Sequence, residues 1–139
     1  MITTSMNIQR SEVWPVRSQE NVVLVRQVVR AWAVELGFSL VDQTKLVTAA
    51  SELARNAIDH GGGGMFRMEQ LSNGFRQGLR LVFEDQGPGI SNIELAMTDG
   101  YSTRGGLGMG LSGSRRLVNE FQLESTPGAG TRITIVKWK

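Results

Sequence analysis

Glu52 and Asn56 stand four residues apart in Ser51-Glu52-Leu53-Ala54-Arg55-Asn56-Ala57-Ile58-Asp59-His60, which runs straight into Gly61-Gly62-Gly63-Gly64. On a helix that spacing stacks two side chains one turn apart on one face. A carboxylate and an amide stacked this way can hold a divalent cation or orient a hydroxyl. The pair alone also fits a plain amphipathic helix; its meaning comes from the glycine-rich segments downstream. Asp85-Gln86-Gly87-Pro88-Gly89-Ile90 follows an apolar, strand-like run. An aspartate at a strand end can accept a hydrogen bond from a planar amino group, and the glycines let backbone approach a flat ring. Read alone, the string is equally an ordinary turn. Gly105-Gly106-Leu107-Gly108-Met109-Gly110-Leu111 stands at the head of a helical stretch. Helix N-termini present unpaired N–H groups and positive partial charge, and glycines let phosphates come near. The spacing is not G-x-x-x-x-G-K-[ST], and the loop sits too late, with no strand before it, for a dinucleotide fingerprint. Gly128-Ala129-Gly130-Thr131 enters a final strand, where Thr131 can set its hydroxyl beside the Asp85 strand end.

The elements that must position these residues read as follows. Glu12 to Val16 predicts a short strand, confined to an edge or an end by Pro15, which cannot donate to a ladder. Ser18 is a fitting N-cap for a helix carrying Val23, Leu24, Val28, Ala31, Trp32 and Leu36, with Gly37 as its stop. A second helix is predicted from about Val41 to His60, with Leu46, Val47, Ala50, Leu53, Ala54 and Ala57 inward. The four glycines turn the chain into a strand from Met65 to Gln70. Ser72-Asn73-Gly74 signals a hairpin, and Leu79 to Glu84 is the return strand. A short helix follows from Asn92 to Met97, then the glycine-rich stretch 99–110 and a helix from Leu111 to Asn119. Strands over 121–125 and 131–138 close the chain around the turn Thr126-Pro127-Gly128-Ala129-Gly130. The order β-α-α-β-β-α-α-β-β predicts an α/β, two-layer α+β sandwich: a mixed, mostly antiparallel sheet with helices on one face.

The 139 residues suit one domain spanning 1–139, with 1–10 expected to be flexible. Hydrophobic residues make up 40% and charged residues 20%, enough for a packed core and ordinary for a globular chain. Cys is absent, which excludes disulfides and thiolate metal sites. The net charge of +2 comes without a dense Lys/Arg run, so no nucleic-acid partner is expected. No stretch approaches the ~20 apolar residues of a membrane-crossing helix, and Met1 to Arg10 lacks a signal-peptide core. The chain reads as cytoplasmic. Some residues take plain roles. His60, the only His, reads as a helix C-terminal residue, Asp59 as solvated, and Arg115 and Arg116 as a solvated helix face. Arg104 could reach phosphates or a partner. Trp14, Trp32 and Trp138 read as core or partner contacts, and the methionines as packing.

Taken together and in this order, the four motifs resemble the GHKL superfamily of ATP-binding domains, the Bergerat fold. Glu52-x-x-x-Asn56 is similar to its N box, Asp85-x-Gly87-x-Gly89 to its first glycine box, Gly106-x-Gly108-x-Gly110 to its second, and Gly130-Thr131 to its closing threonine motif. Within the superfamily the chain resembles the small bacterial switch kinases and anti-sigma factors, through Val41-Asp42-Gln43, Ser51 to Asn56, Glu84 to Ile90 and Lys137-Trp138. The resemblance implies ATP and Mg²⁺ as cofactors. Asp85 would bind the adenine amino group, Asn56 would hold Mg²⁺, and Glu52 would be the general base toward a protein hydroxyl. Gly106, Gly108 and Gly110 would cradle phosphates, and Ser102 to Leu107 would form a short lid. Gly87, Gly89, Ile90, Met109 and Thr131 complete the nucleotide contacts it implies. The expected activity is that of a serine/threonine protein kinase acting on a STAS-domain antagonist. It would then bind a PP2C-type phosphatase regulator, and a homodimer is compatible with the resemblance. The alternative is an anti-sigma factor that holds a sigma factor directly. A nucleotide sensor without transfer activity is disfavoured by Glu52.

Overall fold

The computed structural model describes residues 6–90, 92–98 and 110–139. Strand β1, Asn7–Val16, lies at one edge of the sheet, the position in which a strand tolerates a proline such as Pro15. It starts five residues before the predicted Glu12 and takes in part of the segment expected to be flexible. Side chains explain the extension. The Arg10 guanidinium lies 3.8 Å over the Trp32 ring and pairs with Glu12 at 3.0 Å and Glu35 at 3.1 Å. These contacts tie the start of the strand onto the following helix, and no apolar alternation announces them.

Helix α1, Gln19–Leu36, opens on a capping box. Ser18 Oγ accepts from the Asn21 N–H at 3.4 Å, and Asn21 Oδ1 accepts from the Ser18 N–H at 3.2 Å. Helix α2, Leu40–Gly61, is capped by Ser39, whose Oγ accepts from the Asp42 N–H at 3.1 Å. It ends where Gly62 turns left-handed at φ 72. Strands β2, Gly64–Ser72, and β3, Gln77–Asp85, form the predicted hairpin. Helix α3, Ile93–Ala96, follows, capped by Asn92, whose Oδ1 accepts from the Leu95 N–H at 3.0 Å. Helix α4, Gly110–Arg116, stops short of the predicted Asn119. There the Asn119 N–H donates to Val136 O at 3.0 Å, and Asn119 Oδ1 accepts from the Trp138 N–H at 2.7 Å. The chain is already being drawn into the sheet, so Leu117 and Val118 pack on the core from outside the helix. Strands β4, Glu120–Thr126, and β5, Gly130–Trp138, finish the chain.

The sheet order is β1-β2-β3-β5-β4, and every neighbouring pair is antiparallel. The expectation of a mixed sheet is therefore corrected. Strands β3 and β4 do run the same way, but β5 returns between them and makes both contacts antiparallel. Phe66 and Met68 of β2, Leu79, Leu81 and Phe83 of β3, and Ile133 and Ile135 of β5 form one core with Val25, Val29, Leu46, Ala50 and Leu53 of the helices. Trp14 stacks on Phe66 at 5.4 Å, Phe66 on Phe83 at 4.8 Å, and Trp32 meets Trp14 edge-on at 6.1 Å. The core reading of Trp14 and Trp32 is thus met. Trp138 is half-buried and donates to Glu120 at 2.9 Å. Met68 is core, while Met65 is exposed. Alternate strand residues turn to the opposite face, where Glu69 is buried against the Arg80 guanidinium at 2.7 Å. Among the described residues no helix is long and apolar enough to cross a membrane.

Candidate functional site

Helix α2 carries both Glu52 and Asn56. Glu52 has a side chain 15% exposed and lies 3.8 Å from the Arg55 guanidinium one turn on. Asn56 is half-buried. At a helical rise of about 1.5 Å per residue, Asn56 stands about 7.5 Å and Glu52 about 13.5 Å along the axis from Gly61, the last residue of α2. Leu53, Ala54 and Ala57 on the same stretch of helix are buried in the core.

Asp85, the last residue of β3, lies between Gly64 of β2 and Thr131 of β5 in the sheet register. It is 8% exposed. Its Oδ1 accepts from the Gly87 N–H at 2.9 Å. Burial pushes the Asp85 carboxyl above the usual carboxylate range, while the backbone N–H groups of Gly87 and Thr131 and the charge of His60 pull part of the way back. Asp85 also meets the end of α2: a Cβ placed on Gly61 would overlap the Asp85 Cβ and Cγ and stand 2.6 Å from its Oδ1. This gives a place to the four-glycine segment, whose purpose the sequence alone did not settle.

The closing turn adds a residue that sequence reasoning missed. Ser125 Oγ accepts from the Ile90 N–H at 2.7 Å, donates to Gly130 O at 3.2 Å and lies 2.9 Å from Thr131 Oγ1. It pins the Gly87-Pro88-Gly89-Ile90 loop to the β4–β5 hairpin. Its only signal in the sequence is its place opposite Thr131 across the turn, visible once the strand register is known. Glu52, Asn56, Asp85, Gly87, Gly89, Ile90 and Thr131 are thus all carried by α2, the β3 end with its loop, and the start of β5. Gly110 opens α4, which packs against α2. Ser102, Gly106, Leu107, Gly108 and Met109, with Arg104, lie outside the described residues. Arg115 and Arg116 are exposed on α4, and among the described residues no three His, Cys, Asp or Glu side chains gather as a metal-binding group.

A helix bearing a carboxylate and an amide, with its end set against a buried aspartate in a glycine loop, describes a nucleotide-binding ATPase domain. The pattern of the family described as "Histidine kinase-, DNA gyrase B-, and HSP90-like ATPase" matches residues 41–139, and the chain belongs to this family. It is 47% identical to the serine/threonine-protein kinase RsbT of Bacillus subtilis (strain 168) over 123 residues, covering 88% of this chain and 92% of RsbT. It is 32% identical to an anti-sigma F factor of Thermoanaerobacter sp. (strain X514) over 124 residues, covering 86% of each. The fold matches the crystal structure of the RsbU and RsbW domains of Rv1364c from Mycobacterium tuberculosis with a TM-score of 0.66 at 20% identity. That match covers 94% of this chain and 33% of the longer one.

Proposed function

We propose that this chain is a switch-type kinase that moves the γ-phosphoryl group of Mg-ATP to a hydroxyl of a STAS-domain antagonist, then engages and activates a PP2C-type phosphatase regulator. That it is a serine/threonine-protein kinase using ATP rests on its family and on the identity to RsbT. The observation that carries the site assignment is the order Asp85, Asn56, Glu52 along α2. Asp85 meets the helix end, and the amide and the carboxylate follow about 7.5 Å and about 13.5 Å along the axis, as base, phosphates and acceptor hydroxyl follow one another along a bound nucleotide. Asp85, held by the N–H of Gly87, keeps an oxygen to accept from the adenine amino group. Asn56 offers a single amide oxygen. That donor fits Mg²⁺, which takes most of its ligands from water and phosphate oxygens. The cation would neutralise charge on the phosphates.

Glu52 takes the proton of the attacking hydroxyl as its oxygen bonds to the γ-phosphorus and the bond to the β–γ bridging oxygen breaks, releasing ADP. Glu52→Ala should therefore bind Mg-ATP as the parent does but transfer phosphate about 10²–10⁴-fold more slowly. Single-turnover phosphorylation of the antagonist tests this, and a parental rate would remove Glu52 as the base. The second reading, direct capture of a sigma factor, is favoured by the identity to anti-sigma F factors.

A further inference from the structure

Helix α2 ends on a residue its own backbone does not call for. Gly61 is the last helical residue, and the left-handed conformation begins only at Gly62, with φ 72. At a helical position alanine is favoured over glycine. The reason for glycine lies in the neighbour. A Cβ at position 61 would overlap the Cβ and Cγ of Asp85, and a Cβ on Gly87 would lie 2.5 Å from the Cα of Gly61 and 3.0 Å from its carbonyl carbon. The helix end and the loop after β3 therefore meet backbone on backbone, with the Asp85 side chain filling the space beside them.

We propose that Gly61 is a positioning residue that sets nucleotide-base specificity: its missing side chain is the space in which the Asp85 carboxylate stands. The inference rests on the reading of Asp85 as the adenine acceptor. Through this contact α2, which carries Glu52 and Asn56, also fixes where the base-reading oxygen lies. A methyl group at 61 would drive the carboxylate off the adenine amino group and leave a site that no longer tells an amino group from a ring carbonyl.

Inosine triphosphate, which carries that carbonyl, is the probe. The parent should bind ATP about tenfold or more tightly than inosine triphosphate, the range expected for one hydrogen bond to a charged group. In Gly61→Ala the ATP affinity should fall to the parent's inosine triphosphate level, while inosine triphosphate binds much as before. A general packing defect would weaken both together and keep the ratio. A folded Gly61→Ala with the parental ratio overturns this inference alone; a parent that binds the two nucleotides equally overturns the adenine reading and this inference with it. A second comparison covers a variant that fails to fold. Asp85→Gly removes the overlapping atoms, so Gly61→Ala added to Asp85→Gly should melt no lower than Asp85→Gly itself. A lower melting temperature would show that something other than Asp85 excludes the side chain.

Discussion

Asp85 works against its own surroundings. Burial holds its carboxyl above the ordinary range, with hydrogen bonds from Gly87 and Thr131 and the charge of His60 opposing. A carboxyl raised in the folded state favours folding while it is protonated, below the unfolded value. That contribution is lost as pH rises through the folded value. At neutral pH the ionised group is thus a cost to the empty fold. Asp85→Asn should melt higher than the parent at pH 7, and the gap should narrow as pH falls toward the ordinary aspartate range. The same variant should lose ATP affinity by about 1.5–3 kcal/mol, because the amide can present a donor where an acceptor is needed. Calorimetric titration and melting curves across pH measure the two effects separately. Asn56→Ala should instead shrink the difference in ATP affinity between Mg²⁺ and chelator. The places of these residues, on α2 and at the end of β3, were legible in the sequence because each rests on one residue type at a fixed spacing. Ser125 was not: a serine near a turn gains meaning only when register sets it beside Ile90 and Thr131.

At the scale of elements, the helix ends were legible because caps are local chemistry. Ser18 and Gly37 bound α1, and Ser39 opens α2 within a residue or two of where periodicity set it. The misplaced boundaries, the start of β1 and the end of α4, are both set by distant partners. Arg10 reaches Trp32 and Glu35, and Asn119 bonds to Val136 and Trp138, contacts that no short window contains. Helix α2 is the element on which the site depends. Leu53 is fully buried between the residues flanking it, Glu52 and the turn to Asn56. Leu53→Ala should cost about 2–5 kcal/mol of stability. Urea unfolding measures the loss. A loss under about 1 kcal/mol would mean that the helix can collapse into the vacated space.

At the scale of the whole molecule, the layer architecture followed from element order, while the sheet order did not. Nothing in the strands announces that β5 enters between β3 and β4, since pairing partners far apart in the chain leave no periodic trace. The proposed exchange of partners also belongs to this scale. Affinity capture from native extract, with and without ATP, should recover a STAS-domain protein and a phosphatase regulator; recovery of a sigma factor would favour the second reading. The central place of β5 bears on synthesis as well. Thr131 stands opposite Asp85 and supplies one of its backbone hydrogen bonds, yet it belongs to the last strand in chain order. On the ribosome the α1–α2 pair and the β2–β3 hairpin emerge first and expose the β3 edge until β5 arrives. A nascent chain therefore lacks the Thr131 hydrogen bond to Asp85, and with it the proposed adenine site, until β5 has been made. A fragment stopped before β5 should be a client for chaperones rather than a weak enzyme.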